Sequence, residues 1–305
     1  MKIGVVGAGG VGGYFGARLA QAGNEVGVVG RGDHLKAIRE HGLRVRSIFG
    51  DTTVAVAASA DPGDIGPCDV VLFCVKSYDA ESAATLLPAL LGDGGAVVSL
   101  QNGVDSEAVL AAAVGADRVI GGVAYIFSTM AEPGVIEHTG GPARLVFGEL
   151  DGQPSQRTER LLSACQDAGI EAEIAQDIRV ALWTKFAFIC ATAGMTAATR
   201  LPLGDIRSSP ESWDMFARII DEVVELARLE GVPLPDDISG QLIGGAAGLE
   251  PGSYSSLHHD LVTGHRMELE ALHGAVVARA NRLNLAVPAC EAINAILQPW
   301  ALRSA

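Results

Sequence analysis

Lys2-Ile3-Gly4-Val5-Val6-Gly7-Ala8-Gly9-Gly10-Val11-Gly12-Gly13-Tyr14-Phe15 follows the first methionine of the chain, and its reading decides the fold. Lys2 to Val6 is a short, β-branched run that reads as a strand. Gly7-Ala8-Gly9-Gly10-Val11-Gly12 then spells G-x-G-x-x-G between that strand and a helix predicted over Gly12 to Ala22. Three demands account for the glycines: a tight turn, close approach of backbone to a pyrophosphate, and close packing of helix on strand. The helix N-terminus adds unpaired N–H groups and a positive dipole end for the anion. Gly7, Gly9, Gly10, Val11 and Gly12 are therefore the candidate dinucleotide-binding residues. Their place between strand and helix sets them apart from a glycine-rich turn with no ligand. The same stretch mimics a signal peptide, with Lys2 ahead of an apolar run, but its seven glycines up to Ala20 and Arg18 argue against one.

Working outward, the first half alternates β-branched runs with helical stretches, the pattern of βαβ units around a parallel sheet. Strands are predicted over Glu25 to Gly30, Asp69 to Lys76 and Ala96 to Leu100, and a strand pair over Leu43 to Ile48 and Thr53 to Ala57. Val119 to Ser128, Gly134 to His138 and Arg144 to Gly148 read as an antiparallel extension, punctuated by Pro133-Gly134 and Gly140-Gly141-Pro142. From about Ile178 the pattern becomes helical. Ser209-Pro210 provides an N-cap and a first-turn proline for a helix whose Phe216, Ile219, Ile220, Val223, Val224 and Ala227 share one stripe, and Gly231 and Pro233 end it. Ser256 to Leu283 reads as one further long helix. The expected architecture is an α/β Rossmann-type dinucleotide-binding domain over residues 1–174 and an all-α substrate and catalytic domain over 175–305.

Bulk properties agree with an enzyme of two domains. The 305 residues are 49% hydrophobic and 19% charged, with 22 Lys+Arg against 36 Asp+Glu and a formal net charge of -14. So acidic a surface repels phosphate backbones and anionic lipid heads, which sets nucleic acid and membrane aside as partners. Five cysteines without a C-x-x-C pair read as reduced thiols of a cytoplasmic protein. Val180 to Thr199 approaches the length of a bilayer span, yet Lys185 within it favours a helix buried in protein. The apolar helix faces can pack within the domain or against another subunit, which leaves a homodimer open.

Charge placement indicates the cofactor. Enzymes using NAD usually carry Asp or Glu at the end of the second strand to bind the ribose 2′-hydroxyl. Here that strand runs into Arg31, and no acid follows until Asp33. A guanidinium suits the extra phosphate of NADP(H) by charge and by bidentate geometry. Two further residues lie at strand C-termini, where open α/β sheets bind ligands. Lys76 closes one apolar strand and is placed to meet a cofactor phosphate or ribose. Asn102, in Gln101-Asn102-Gly103 after another, can hydrogen-bond near the nicotinamide. Each is equally readable as an ordinary polar residue of a strand end or turn.

Two charges fall on apolar faces in the helical half. Lys185 shares a stripe with Ile178, Ala181, Leu182, Ile189 and Thr192, and Glu268 one with Leu257, Leu261, Gly264, Leu272 and Ala275. A buried ammonium needs a partner, a lowered pKa or a functional cleft. A structural ion pair, or side chains reaching out to solvent, would satisfy that need. So would catalysis, because hydride transfer to a ketone develops negative charge on oxygen and a positioned Lys can protonate it. His258, His259, Asp260 and His265 crowd together but lack the ligand set of a metal site.

The Gly7–Gly12 loop, Lys76, Gln101-Asn102-Gly103, Trp183-x-Lys185 and the Ser256…Glu268 segment together resemble the ketopantoate reductases over nearly the whole chain. The resemblance implies NADPH-dependent reduction of the 2-oxo acid 2-dehydropantoate to pantoate, a step towards pantothenate. It assigns Lys185 as general acid, Glu268 as an orienting, substrate-binding carboxylate, and Ser256 as a substrate contact. Asn102 falls beside nicotinamide and substrate, with Arg31 and Lys76 on the NADP side. Members of the family carry Asn four and eight residues beyond the catalytic Lys, where this chain has Ile189 and Ala193. A reductase of another 2-oxo acid or ketone is thus the first alternative. An NADP-binding regulator without catalysis is the second, and such a protein has no need of two inward charges.

Overall fold

The computed structural model describes residues 1–303. By internal contacts the chain forms two compact units. One comprises Met1–Gln101 and Ser106–Ile178, and the other Asn102–Asp105 together with the chain from Arg179 onward.

The first unit is built on a ten-stranded sheet: β1 (Lys2–Val6), β2 (Glu25–Val29), β3 (Leu43–Ser47), β4 (Thr52–Val54), β5 (Ala57–Ser59), β6 (Cys68–Phe73), β7 (Leu91–Ser99), β8 (Val119–Glu132), β9 (Val135–Glu149) and β10 (Ala172–Ile174). Its helices are α1 (Gly10–Gln21), α2 (Gly32–His41), α3 (Pro62–Ile65), α4 (Ala80–Ala84), α5 (Leu87–Leu90), α6 (Ser106–Val114) and α7 (Gln156–Asp167). The order β5-β2-β1-β6-β7-β8 is parallel throughout, the doubly wound Rossmann arrangement, and its winding reverses between β1 and β6. Val5, Val28, Leu72 and Val98 are buried on one face of the sheet and Val6, Val29, Val71 and Phe73 on the other, as continuous apolar strands must be when helices cover both faces. Beyond β8 the sheet turns antiparallel through the β8–β9 hairpin, and β3 lies parallel to β9.

Several strand expectations need correction. Thr53 to Ala57 is not one strand: β4 stops at Val54, and Ala57 opens β5, the third strand of the parallel order. Its Ala-Ala-Ser sequence has almost no β propensity, so only pairing with β2 makes it a strand. The strand expected to run to Lys76 ends at Phe73. The two segments expected after Gly134 form the single strand β9, irregular where Gly141 and Ala143 take positive φ.

The second unit contains α8 (Ile178–Thr199) from its second residue on, α9 (Leu203–Ser208), α10 (Pro210–Leu229), α11 (Ile238–Ala247), α12 (Ser256–Thr263), α13 (Ala275–Leu283) and α14 (Pro288–Ala301). In α10 the Ser209 hydroxyl accepts from the Ser212 N–H, Pro210 occupies the first turn, and the expected stripe is buried. Glu230 caps the C-terminus and Gly231, at φ 76°, turns the chain away. Among the described residues α8 alone is long and apolar enough to cross a membrane, but most of its apolar stretch is buried in the protein. No single stripe explains this helix. Trp183, Phe186, Ala187, Cys190 and Ala191 are buried, while Lys185, Ile189 and Thr192 form its partly open side. Lys185 thus lies on the less covered face, not on the deepest one. No cysteine is in a disulfide, and burial pushes the Cys68 thiol up to about 11 and Cys165 to about 12.

Candidate active site

In the sheet unit the ends of β1 and β6 lie side by side where the winding reverses: Val6 pairs with Phe73, and the Cys74 N–H donates to the Val6 carbonyl at 2.8 Å. Gly7 leaves β1 at φ 90°, and a Cβ there would stand 2.7 Å from the Val75 nitrogen. At Gly10 it would lie 2.2 Å from the Ser128 carbonyl oxygen, and at Gly12 2.3 Å from that of Gly7. These three glycines are required by the protein itself. Gly9 is different. Its φ is an ordinary -70°, and a Cβ would meet nothing within 4 Å. It is also the N-cap of α1, with no side-chain cap and no acidic residue in the first turn. The open side of Gly9 and the uncapped N–H groups beyond it fit the phosphates of a dinucleotide.

Arg31 and Lys76 both belong to this edge. Arg31 is the N-cap of α2, is largely exposed, and gives one of its donors to Asp79 at 2.8 Å. Asp79 ends the short 3₁₀ turn Ser77–Asp79, and the partly buried Lys76 precedes that turn, three residues past β6. Lys76 therefore sits in a loop and not at the tip of a strand.

In the helical unit the central contact is a hydrogen bond from Lys185 Nζ to Asn102 Oδ1 at 2.8 Å. Two residues that sequence reasoning placed in separate arguments are thereby brought together. Loss of hydration pulls the Lys185 pKa down from 10.5 to about 8, and the carboxylate of Glu268 opposes that fall. The ammonium is half-buried and near its transition at neutral pH, the condition of a group that exchanges protons in turnover.

Glu268 reaches this site by a route the sequence did not suggest. The helix expected from Ser256 to Leu283 is broken. α12 ends at Thr263 with Gly264 left-handed at φ 72°, an irregular stretch follows, and Glu270–Gly274 forms a π-helical turn before α13. Glu268 therefore shares no helix with Leu257 and Leu261. Ser256 is the exposed first residue of α12, and the adjacent Ser255 caps it by accepting from the His258 N–H. Ser255 Oγ also lies 2.7 Å from Thr196 Oγ1, tying α12 to α8. His258 stacks on Tyr254 with centroids 4.1 Å apart, and His265 Nδ1 is 2.8 Å from Thr263 Oγ1. Among the described residues no three His, Cys, Asp or Glu are grouped to hold a metal.

Sequence reasoning also passed over His273. It is fully buried in the π turn, its Nε2 2.6 Å from where a Cβ of Gly194 would stand. Desolvation lowers its pKa to about 4, so the ring is neutral at pH 7 and serves to pack α8 against the turn that follows Glu268. A π turn often marks a functional position, but nothing in its residues announces one.

Comparisons with known proteins identify the family. Residues 3–152 match the family described as "Ketopantoate reductase PanE/ApbA", and residues 177–300 match its C-terminal counterpart. The chain is 35% identical over 293 residues to 2-dehydropantoate 2-reductase of Halobacterium salinarum, covering 94% of this chain and 95% of the relative. It is 31% identical over 300 residues to "Uncharacterized oxidoreductase YkpB" of Bacillus subtilis, covering 98% and 99%. The crystal structure of a PanE/ApbA family ketopantoate reductase from Ralstonia eutropha superposes with a TM-score of 0.90 at 36% identity, covering 100% and 99%. With a glycine-rich loop at the switch point of a Rossmann sheet and a half-buried lysine in the helical unit, this chain belongs to the ketopantoate reductase family and is by that membership an NADP-dependent oxidoreductase.

Proposed function

We propose that this protein reduces 2-dehydropantoate to pantoate with NADPH, a step towards pantothenate, and that Lys185 is the general acid. The observation that carries the reading is the Lys185–Asn102 hydrogen bond on an ammonium of depressed pKa under the charge of Glu268. Bound NADPH supplies the hydride. As the carbonyl carbon gains it, Lys185 Nζ gives a proton to the carbonyl oxygen and becomes a neutral amine, which solvent recharges. Asn102 accepts a hydrogen bond from Nζ and so fixes where the lysine's head group lies. Glu268 keeps the lysine charged against desolvation and, in this reading, orients a substrate hydroxyl, with Ser256 as a further contact. On the cofactor side Gly7, Gly9, Gly10, Val11 and Gly12 cradle the pyrophosphate, while Arg31 and Lys76 meet the adenosine phosphate and ribose.

The pKa of Lys185 fixes the sign of the pH dependence. Reduction needs the ammonium, so kcat/KM is level below about pH 8 and falls about tenfold per unit above it. Oxidation of pantoate needs the neutral amine and shows the opposite slope. Initial rates in both directions between pH 6 and 10, a range of about two units either side of that pKa, check both limbs.

One observation favours a second reading, a 2-oxo acid with an apolar side chain. On the partly open side of α8 Ile189 follows Lys185 by one turn, and the buried Ala193 lies a turn beyond it. The hydroxyls on this stretch are already engaged, Thr192 with the Phe188 carbonyl and Thr196 with Thr192 and Ser255. No free donor then remains on this stretch for a substrate hydroxyl. Ile189→Asn should restore one and raise kcat/KM for 2-dehydropantoate about three- to tenfold, the worth of one hydrogen bond. The deciding experiment is NADPH oxidation by the purified protein against 2-dehydropantoate and a panel of aliphatic and aromatic 2-oxo acids, repeated with NADH. Preference for 2-dehydropantoate with NADPH supports the first reading, preference for an apolar acid the second, and turnover of neither sinks both.

A further inference from the structure

Asn102, the acceptor of the Lys185 hydrogen bond, lies in a segment that needs external restraint. Residues Asn102–Asp105 are flanked on both sides by residues of the sheet unit yet pack with the helical unit. Ordering four residues costs more backbone entropy than their one apolar anchor, the partly buried Val104, returns. Gly103 assists by taking φ 105°, which lets the backbone run close to the π turn: a Cβ there would be 3.1 Å from the Ala271 carbonyl oxygen.

The remaining tie is Arg279 on α13. Its Nη2 donates to the Val104 carbonyl at 3.3 Å and to the Asp105 carboxylate, and its Nη1 to Glu230 Oε2 at 2.5 Å. The side chain is only 15% exposed, and its guanidinium lies 5.7 Å from the ring centroid of Trp183, two residues before Lys185. Glu230, at the end of α10, anchors one arm of the fork, so the other is free to hold the segment. A planar fork on two carboxylates and a carbonyl fixes direction as well as distance.

We propose that Arg279 is a positioning residue for proton delivery: by clamping Val104 and Asp105 to the helical unit it holds the Asn102 carboxamide against Lys185. The inference rests on Lys185 being the general acid. Lysine at position 279 would keep the charge but could not span Glu230, Asp105 and the Val104 carbonyl together. Arg279→Lys should therefore behave like Arg279→Gln, each lowering kcat about tenfold while the KM for NADPH stays within about twofold, the pattern of a lost interaction made in the transition state.

The test is a double-mutant cycle in the intact enzyme, reading kcat for the most rapidly reduced 2-oxo acid. If Arg279 acts through Asn102, Arg279→Gln costs nothing further in an Asn102→Ala background. Losses that multiply, or wild-type kcat in Arg279→Lys, would overturn the proposal. Asp105 is exposed, so Asp105→Ala supplies a second variant that spares the fold, with the same expectation of a lower kcat that vanishes beside Asn102→Ala. Undiminished kcat in Asp105→Ala counts against the clamp. Full turnover by Lys185→Ala would instead remove the general-acid reading on which the clamp depends, so the two failures are distinct.

Discussion

Lys185→Ala should lower kcat for 2-oxo acid reduction by about a hundred- to ten-thousand-fold, the usual contribution of a positioned proton donor. NADPH affinity should be unchanged, because the nucleotide loop belongs to the sheet unit and Lys185 to the helical one. Transient kinetics and NADPH fluorescence titration separate the two quantities. Stability should hold or rise: the wild-type ammonium is kept half-buried at a cost that its lowered pKa reflects, and an alanine methyl on α8 carries no such cost. Lys185→Met, which fills the same space without a proton, distinguishes lost chemistry from lost packing. If Met at this position retained most of the activity, the proton would have to come from elsewhere.

A second large effect is expected at Gly9, where fold and function separate. Gly9→Ser adds a side chain in a direction where no protein atom lies within 4 Å, at a φ of -70° that any residue adopts. Serine is also a slightly better N-cap than glycine, by a few tenths of a kcal/mol, so the thermal midpoint should stay level or rise. NADPH affinity should nevertheless fall roughly thirtyfold or more, since losing one charge-assisted hydrogen bond to the pyrophosphate costs about 2 kcal/mol. Gly12→Ala provides the contrast. Its methyl would stand 2.3 Å from the Gly7 carbonyl oxygen and 2.9 Å from the Cys74 Cβ, an overpacking that costs about 1–3 kcal/mol. At about 2–4 °C per kcal/mol for a domain of this size, its melting temperature should drop by several degrees. Unchanged NADPH binding by Gly9→Ser would mean that the loop does not hold the cofactor.

How much of this was legible in the sequence depended on whether local pattern or tertiary context set each feature. The β1–loop–α1 unit was readable because strand period, glycine spacing and helix start are all local and all agree. Helix α10 was readable for the same reason, with cap, proline and stripe in one run. The third parallel strand was not, since Ala57-Ala58-Ser59 is a strand only by virtue of its neighbour. Glu268 drew attention as a charge on an apolar stripe, yet that stripe does not exist, because Gly264 ends α12 and a π turn resets the phase. The reason for suspecting it was wrong, and its charge acts on Lys185 all the same. Asn102 and Lys185 each carried a local signal, but 83 residues separate them and only folding makes them a pair. Arg279, far from both in sequence, carried none.

The most direct test of Lys185 as proton donor is the pH dependence of kcat/KM for reduction, measured on the wild type and on Lys185→Ala in parallel. The wild type should lose about a factor of ten per pH unit above about pH 8, and the variant should keep only a low rate without that limb. An alkaline limb near pH 8 that survives in Lys185→Ala would show that another group titrates there, and would contradict the assignment.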